Sequence, residues 1–387
     1  MANRCRLPRT DGLNRPDGCG TLPGYEKPAN IAENNTASPG RSNMLHSKLA
    51  YRFAFAALAV TALPATSAAA QTVAEFYKGN TVAILMGTGP GGSFDLYGRT
   101  IAAHLGKHIP GNPNIIVEHM PGAGGAIAGS HIYGPAPQDG TKILLAHAIP
   151  ITEKMLGGKT IRFKTREFHW LGAYDAIAQI MTVWHTAGVK TIDDLKTKEF
   201  VVGSFSNTHL TYQWAMLAKT VLGTKFKVIT GYRSGNDTNL AMERGEIQGW
   251  AASWENINGT RPQWIRDKTV NMLVQYTLER IPQLPDVPTL LELTPPGKKD
   301  VVEFITSGTP IARSMAVGPG VPKDRVDALR KAFNALMRDK EFLAEAEKRQ
   351  LAINPRSAAQ VQAMVDKIIT ASPELVARVK TAVGMTD

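Results

Sequence analysis

Short apolar segments alternate with helical segments along most of the chain, and this alternation is the strongest constraint on its fold. The segments Thr81–Met86, Asn114–Glu118 and Lys142–Ala146 have the length and the aliphatic composition of buried strands. After the first of them, apolar residues recur every four positions over Asp95–His108, which places them on one face of a helix. Strands and helices in alternation predict an α/β fold, in which mostly parallel sheets are flanked by helices.

The alternation continues through the middle of the chain and then gives way to a proline-rich segment. Further strands are predicted within Phe200–Ser204, Lys225–Ile229 and Glu246–Trp250, with helices between them. Prolines recur between residues 282 and 296, which excludes a regular helix or an interior strand there. This segment is therefore predicted to be a surface connection between two domains. Beyond it, one amphipathic helix is expected to begin near Pro322, followed by two short helices.

The N-terminal region has the organisation of an export signal. Basic residues precede the apolar run Phe53–Ala65, and the small residues Ala68–Ala70 follow it. This order is typical of a cleavable secretory signal peptide, and the apolar run is shorter than the ~20 residues that a membrane helix needs. We therefore expect residues 44–70 to be the signal peptide and translation to start at Met44. Residues 1–43 would then be assigned to the protein by mistake or form a disordered extension.

Removal of residues 1–70 would leave 317 residues, of which 36 are basic and 29 acidic, so that the net charge is +7. This length predicts about two domains. The charge needs no nucleic acid to explain it, because the sequence has no run of five basic residues and no zinc-knuckle spacing. Cys5 and Cys19 both lie in the removed part, so neither a disulfide nor thiol chemistry is expected of the exported protein.

A glycine-rich loop, Gly87–Asp95 (GTGPGGSFD), joins the first strand to the first long helix. Its glycines match the dinucleotide-binding pattern Gly-x-Gly-x-x-Gly, and Glu118 at the end of the next strand stands where an acidic ribose ligand would be. Pro90 counts against this interpretation because it stiffens a turn that must bend around a pyrophosphate. Nicotinamide cofactors are also not expected in an export compartment, so no cofactor is predicted.

The same loop fits a seat for an anion. Backbone N–H groups at a helix N-terminus are unpaired and carry partial positive charge, and glycines let a carboxylate approach them. Ser93 would add a hydroxyl at the N-cap position. A second loop, Pro121–Gly125 (PGAGG), precedes another helix, and loops after neighbouring parallel strands meet where open α/β sheets bind ligands. The alternative is that both loops are only tight turns.

These loops belong to a longer series of motifs that resembles a known family. The motifs GPGGSFDLYGR, VEHMPGAGGAIAG and APQDGTKILLA are followed by GSFSN, YRSGNDTNLAMERGEIQGW, LPDVPTL and VGPGVPKDRVDAL. In this order they are similar to the substrate-binding receptors of tripartite tricarboxylate transporters, the Bug family of periplasmic solute-binding proteins. The resemblance covers nearly all of the exported chain. It implies two α/β lobes of the periplasmic-binding-protein type II kind, hinged around a cleft that closes on a small organic acid.

The resemblance also implies which residues contact the ligand carboxylate, often through ordered water. They lie in one loop of the first lobe and in two segments of the second lobe. Carried over position by position, they are Pro90, Gly91, Gly92, Ser93, Phe94 and Asp95, then Ser206, Asn207 and Thr208, and finally Tyr232 and Ser234. The loop Pro121–Gly125 is expected to shape the first lobe rather than to hold the ligand.

Departures from the family motifs leave the identity of the ligand open. His119 and Met120 replace the usual Asn-Arg before PGAGG, and Trp250 and Trp254 replace a smaller aliphatic strand. Trp250 is a candidate to stack on an aromatic acid, with a core position as the alternative. Dicarboxylates, tricarboxylates, aromatic acids and amide-like solutes all remain possible.

The predicted lobes are built from discontinuous segments. Residues 71–184 and 304–387 would form the first lobe, and residues 185–303, with the proline-rich return, the second. The predicted function is that of a periplasmic, monomeric receptor without catalytic activity. As the family implies, its closed form would be recognised by two integral-membrane transporter components.

Two other classes of function are considered. The first is a secreted enzyme that acts on a carboxylate in the same cleft, with Asp95 as a general base. An aspartate in the first turn more often stabilises its helix, and the sequence shows no convincing pair of nucleophile and base. The second is a structural or adhesion protein, which fits poorly with two glycine-rich anion loops. A metal site is also weighed, because His104 and His108 lie four residues apart on a helix. The zincin glutamate is missing and no third ligand is evident, so no metal site is predicted.

Overall fold

The computed structural model describes residues 71–157 and 161–385. The predicted signal peptide, the segment before it and both cysteines lie outside these ranges. Within the described ranges, no helix combines the length and the apolar composition that a membrane crossing requires.

The strands follow one another in chain order with helices between most of them. They are β1 (Thr81–Met86), β2 (Asn114–His119), β3 (Lys142–Ala146), β4 (His169–Asp175), β5 (Gln179–Trp184), β6 (Val201–Ser204), β7 (Lys227–Thr230), β8 (Gly249–Ser253), β9 (Val270–Gln275), β10 (Arg313–Val317) and β11 (Arg356–Ser357). The predicted strands agree with β1, β2, β3, β6, β7 and β8 to within three residues at either end. The apolar pattern therefore locates most of the strands.

The helices surround these strands. They are α1 (Val73–Tyr77), α2 (Ser93–Leu105), α3 (Ala126–Tyr133), α4 (Ile149–Leu156), α5 (Ile192–Thr197), α6 (Leu210–Leu222), α7 (Gly235–Glu243), α8 (Trp254–Thr260), α9 (Pro262–Arg266), α10 (Lys299–Thr306), α11 (Lys323–Leu336), α12 (Lys340–Lys348), α13 (Ala358–Ile369) and α14 (Pro373–Ala382). Helix α11 begins after Pro322 as predicted, but α12, α13 and α14 follow it instead of two helices. The third helix, α14, is separate from α13 because Ser372 caps a new helix start and Pro373 is its first residue.

The first sheet has the strand order β11-β4-β10-β3-β1-β2. Strand β1 pairs in parallel with β2 and with β3, and all of it except Thr81 is buried. Strand β10, however, is antiparallel to both β3 and β4, and β11 is antiparallel to β4. The prediction of a mostly parallel sheet is therefore wrong for this lobe, and the sheet is mixed.

The second sheet has the order β7-β6-β8-β5-β9 and is also mixed. Strand β6 is parallel to β7 and β8, whereas β5 is antiparallel to β8 and β9. The reason is the same in both sheets. A parallel pair needs a long crossover, usually a helix, whereas a strand that arrives directly from the other sheet is free to run in either direction. Strand β5 arrives in this way after three residues, and β10 returns from the second sheet after a segment of 37 residues that contains α10.

The chain passes from the first sheet to the second earlier than predicted. Strand β4 ends at Asp175 in the first sheet, and β5 begins at Gln179 in the second. The predicted boundary at residue 184 is therefore wrong, because it would assign β5 to the first lobe. The passage consists of Ala176, Ile177 and Ala178, which carry none of the glycine or proline signals that mark a connection in the sequence. The chain re-enters the first sheet at β10, and the boundary at residues 303 and 304 stays a prediction.

Candidate functional site

The candidate site is a cleft between the two lobes, at the carboxyl ends of strands from both sheets. It has two connected parts that share Thr88, Phe205 and His209. We call the inner part the deep chamber; it is lined by Thr88, Gly91, Gly92, Ser93, Phe94, His147, Ile177, Gln179, Phe205, His209, Thr211, Gly235, Trp250, Ser253 and Asn256. We call the other part the outer chamber; it is lined by Gly87, Thr88, Pro121, Gly122, Gly124, Phe205, Ser206, His209, Gly231, Tyr232 and Arg233.

The two chambers differ in size. The deep chamber has a cavity volume of about 30 Å³, and the outer chamber has a cavity volume of about 300 Å³. The deep chamber therefore has room for one or two water-sized groups. The outer chamber has the volume of a small-molecule site. The lobes are consequently closed on each other, with a narrow space left at the centre.

The glycine-rich loop brings its backbone directly against the second lobe. Gly89 N–H donates to the Arg233 carbonyl over 2.9 Å. A Cβ atom at Gly91 would lie 2.8 Å from Asn236 Cβ, and one at Gly92 would lie 3.0 Å from Asn256 Nδ2. Such short distances are possible only without a side chain at these positions. The glycines therefore serve the contact between the lobes as well as any ligand.

The start of α2 differs from the sequence prediction. Gly92 (φ +82°, ψ 178°) is the N-cap residue, and Ser93 is the first residue of the helix. The prediction of Ser93 as the N-cap is therefore wrong, because glycine alone tolerates the backbone conformation at the cap. Released from capping, the Ser93 hydroxyl lies 3.1 Å from the Ser253 hydroxyl of the second lobe. Ser93 therefore faces the deep chamber and the opposite lobe.

Asp95 holds the loop rather than lining a chamber. Its Oδ2 accepts from Gly91 N–H at 3.0 Å and from Arg99 Nε at 3.0 Å. Its Oδ1 lies 3.0 Å from His119 Nε2, and the other ring nitrogen of His119 lies 2.9 Å from the Thr88 carbonyl oxygen. Asp95 Oδ2 thus fastens the loop through two hydrogen bonds, whereas Oδ1 lies next to His119 without a hydrogen bond in the described protein.

The predicted residues of the first loop and of the second lobe fall into three groups, which line the deep chamber, the outer chamber or neither. Gly91, Gly92, Ser93, Phe94 and Trp250 line the deep chamber, and Ser206 and Tyr232 line the outer chamber. Pro90 and Asn207 are exposed, and neither belongs to a chamber lining. Thr208 lies behind the lining, with its Oγ1 3.1 Å from Ser206 Oγ. Ser234 caps α7 by accepting from Asp237 N–H at 3.2 Å.

The second glycine-rich loop, Pro121–Gly125, has a wider role than the sequence predicts. It shapes the first lobe, and Pro121, Gly122 and Gly124 also form a wall of the outer chamber. A Cβ atom at Gly124 would lie 2.6 Å from the Thr208 carbonyl oxygen of the second lobe. This loop, like the first, therefore depends on glycine where the lobes meet.

Trp250 of β8 forms an aromatic wall of the deep chamber. Its side chain is 2% exposed and packs at 5.9 Å and 29° against Phe205. The Phe205 ring lies 4.5 Å from the His209 ring on its other side. Trp250 therefore belongs to the core of the second lobe and to the site at the same time, so that both interpretations of the sequence apply.

A pair of buried histidines is the part of the site that sequence reasoning missed. His147 follows β3 of the first lobe and His209 caps α6 of the second lobe. His147 Nδ1 lies 3.1 Å from His209 Nε2, and the rings stack at 4.6 Å and 22°. Burial lowers the pKa of His209 from 6.5 to about 3. Burial, His209 and Arg313 together hold the pKa of His147 well below 6.5. Both rings are therefore neutral at physiological pH.

Four polar atoms of the deep chamber have no hydrogen-bond partner in the described protein. They are Thr88 Oγ1, His147 Nε2, Gln179 Oε1 and Trp250 Nε1. Their side chains are at least nine-tenths buried. A buried polar group without a partner costs about 1–3 kcal/mol, so several of them around one cavity are expected only where a ligand or water completes them.

A buried ion cluster joins the lobes behind the deep chamber. The Arg313 side chain is fully buried, with Nη1 2.9 Å from Asp175 Oδ2 and Nη2 2.7 Å from Glu255 Oε2. Arg313 and Asp175 belong to the first sheet, whereas Glu255 lies in the first turn of helix α8 of the second lobe. Burial raises the pKa of Asp175 to about 6, although Arg313 opposes this shift. The cluster therefore links the two lobes next to their first connection.

The other sites considered from the sequence look different in the structure. Glu118 forms an ion pair with Lys142, with Oε1 and Nζ 2.8 Å apart. Both side chains are partly exposed, and neither residue lines a chamber. His104, Asp339 and Glu341 offer three ligand atoms within 4.8 Å of one another. Lys107 Nζ, however, lies 2.7 Å from Asp339 Oδ2 and 2.5 Å from Glu341 Oε2. These carboxylates therefore already have a cationic partner.

Comparisons with known proteins agree with this architecture. No family model matches the chain. A curated protein from Cupriavidus necator, the UPF0065 protein in the gbd 5' region, is 24% identical over 322 residues, which cover 80% of this chain and 90% of the relative. The structure of the periplasmic binding protein BugD matches with a TM-score of 0.64 at 20% identity, over 79% of this chain and 98% of BugD.

A Rhodopseudomonas palustris protein solved with adipate gives a TM-score of 0.62 at 18% identity, over 79% of this chain and 97% of that protein. Similarity at this level of identity carries the fold. The resemblance that the sequence motifs indicate is thereby confirmed, and the chain has the two-lobed fold of periplasmic solute-binding proteins of the Bug type.

Proposed function

We propose that the protein is an exported receptor that captures a small organic acid in the cleft between its lobes. It would act in the periplasm and deliver the acid, without turnover, to the two membrane components of a tripartite tricarboxylate-type transporter. The observation that carries the proposal is the group of unpartnered polar atoms around the deep chamber, supplied by both lobes. The adipate bound to a protein of the same fold supports an organic acid as the ligand class.

The chemistry of the deep chamber favours a carboxylate. Trp250 Nε1 can only donate a hydrogen bond, and a carboxylate can only accept. Hydrogen bonds to a charged acceptor are roughly twice as strong as those between neutral groups. A small, buried chamber strengthens them further because the local dielectric constant is low. A carboxylate in this chamber would therefore replace its water shell with fixed donors.

Closure of the lobes would couple binding to recognition by the transporter. Gly89, Ser93 and His147 of the first lobe contact Arg233, Ser253 and His209 of the second lobe, respectively. A ligand that touches both lobes binds the closed form more tightly than the open form and so shifts the equilibrium towards closure. The membrane partners would then distinguish loaded from empty receptors by their shape.

The outer chamber indicates how a second carboxylate would be held. Among the described residues that line either chamber, Arg233 carries the permanent charge. A diacid with one carboxylate in the deep chamber would reach towards this guanidinium. We expect Arg233→Gln to weaken the binding of adipate by about two- to fivefold and the binding of butyrate by less than about 1.5-fold, because Arg233 is exposed and the monoacid has no second charge. Isothermal titration with both acids measures the difference.

The proposed function is tested by a thermal-shift screen of the purified protein against adipate, succinate, citrate, benzoate and butyrate. An acid at ~100 times its dissociation constant adds about 2.7 kcal/mol to the free energy of unfolding. Proton NMR of the recovered acid then separates a receptor from an enzyme. An unchanged acid agrees with the proposal, whereas conversion of the acid would establish the enzyme alternative. Absence of a shift with every acid would contradict the proposed ligand class.

A further inference from the structure

We propose that His209 and His147 form a relay of neutral hydrogen bonds whose last N–H group, on His147 Nε2, binds the carboxylate in the deep chamber. This inference rests on the proposed function and extends it. It assigns a ligand contact to His147 and a positioning role to His209. It also predicts that the chamber prefers a terminal carboxylate to an amide.

The relay begins at the backbone of α6. The Thr211 backbone N–H donates to His209 Nδ1 over 3.2 Å, and the Thr211 hydroxyl lies 3.0 Å from the same nitrogen. A ring nitrogen that accepts a hydrogen bond carries no hydrogen of its own. In a neutral imidazole the hydrogen must then be on the other nitrogen, which is His209 Nε2. The N-cap position of His209 therefore fixes its tautomer.

The second step crosses the cleft. His209 Nε2 lies 3.1 Å from His147 Nδ1, so the hydrogen on His209 makes His147 Nδ1 the acceptor. The remaining hydrogen of a neutral His147 is then on Nε2. This nitrogen is buried and has no partner in the described protein, and the residue that carries it lines the deep chamber. The backbone of the second lobe thus determines a donor on the first lobe.

The surroundings of the pair keep it neutral. The His147 ring lies 4.5 Å from Phe94, edge to face, and stacks on His209. The charged group that acts on His147 is Arg313, which opposes protonation and lowers its pKa together with burial. A neutral donor has a consequence for selectivity. It adds no positive charge that would attract water or a second anion. The donor is therefore complementary to the acceptor oxygens of a single carboxylate.

The deep chamber presents a second donor in addition to His147. Trp250 Nε1–H is also buried and unpartnered, and it comes from the opposite lobe. A carboxylate accepts with both of its oxygens and satisfies two donors. The NH₂ group of an amide would place a donor against one of them and leave both unsatisfied. Gln179 Oε1 is an unpartnered acceptor of the same chamber, so the preference for acids over their amides also requires the Gln179 side-chain amide to be turned so that its Nε2 donates.

The inference is tested on the purified full-length protein with whichever of adipate, succinate, citrate, benzoate and butyrate binds most tightly. His147→Phe retains an aromatic ring for stacking but removes the donor, and we expect about 10- to 150-fold weaker binding by isothermal titration. His185→Phe is the matched control, because His185 is exposed and outside both chambers. His147→Gln retains an N–H donor and is expected to recover part of the affinity. The matching amide should bind at least tenfold more weakly than the acid.

The tautomers are measured independently by ¹⁵N NMR of the histidine rings in the parent protein. We expect the hydrogen on Nε2 of both His147 and His209, and we expect the Nδ1-protonated form of His147 to appear in His209→Phe. A merely structural role of His209 would leave the His147 tautomer unchanged and would overturn the relay. Unaltered affinity in His147→Phe, measured while the parent protein binds an acid, would also overturn the relay. The proposed function would stand in that case. Failure of the parent to bind any of the acids would remove both proposals.

Discussion

Gly89→Ala would add one methyl group at the point where the two lobes touch. The backbone of Gly89 does not have a positive φ, so alanine introduces no backbone strain. In the closed form, however, its Cβ atom would lie 2.9 Å from the Arg233 carbonyl oxygen. That distance is about 0.5 Å shorter than an ordinary contact, and the partner is backbone that cannot rotate away. The lobes must therefore separate slightly at this point.

The magnitude follows from two effects that act only on the closed form. Separation weakens the hydrogen bond from Gly89 N–H to the Arg233 carbonyl, which is worth about 0.5–1.5 kcal/mol. An extra methyl group in a packed contact costs about 1–3 kcal/mol, part of which is relieved by the separation. We therefore expect closure to lose about 2 kcal/mol, and the affinity for an acid that binds only the closed form to fall about 30-fold.

Isothermal titration of Gly89→Ala against the acid that binds the parent most tightly measures this effect. Gly297→Ala is the matched control, because no heavy atom lies within 4 Å of the added Cβ and the backbone φ is not positive. We expect the control to retain the parent affinity. If Gly89→Ala also retains it, the glycine-rich loop does not press against the second lobe in the bound form, and the reasoning about closure is refuted.

Three further predictions concern the buried polar groups. Arg313→Met should lower the free energy of unfolding by about 3–5 kcal/mol at pH 7, because it leaves Asp175 buried without its cation. The pKa of Asp175 is raised to about 6, so its carboxyl is protonated at pH 5. Chemical denaturation should therefore show a smaller loss of stability at pH 5 than at pH 7. The pKa values of His147 and His209 are lowered from 6.5, so the pair contributes stability that is complete above pH 6.5 and is lost as the pH falls towards about 3. The double variant His147→Phe/His209→Phe should therefore show a shallower loss of melting temperature between pH 7 and pH 4.5, and an unchanged slope would count against the neutral pair. Trp250→Phe retains the contact with Phe205 but removes the indole N–H, and titration should show about 10- to 100-fold weaker binding of acids; equal affinity would exclude Trp250 as a ligand contact.

Much of the fold could be predicted because it depends on local patterns. Strand β3 has the predicted bounds, since a short aliphatic run bounded by polar and glycine residues has few other solutions. Strand direction is different, because the same apolar run fits a parallel or an antiparallel neighbour. The mixed sheets follow from the passage between Asp175 and Gln179, which no sequence pattern marks, and from the return at β10, where the proline-rich segment marks a connection but does not set the direction of the strand.

The site was predictable where its function depends on backbone geometry. The glycine-rich loop stands out in the sequence because glycines at such spacing before a helix need a reason. His147 has no comparable signal, because it is a single histidine after a strand, and its partner lies 62 residues further along the chain. One general signal was available. Strands β1 and β3 are parallel neighbours, so the loops that follow them begin at the same sheet edge and belong to the same cleft.

The central claim is that an organic acid binds between the closed lobes with its carboxylate in the deep chamber. A crystal structure of the protein with its tightest-binding acid tests this claim most directly. We expect the lobes to be closed and a carboxylate oxygen to lie within hydrogen-bond distance of both His147 Nε2 and Trp250 Nε1. An acid bound outside the two chambers, or a carboxylate that contacts only one lobe, would contradict the account.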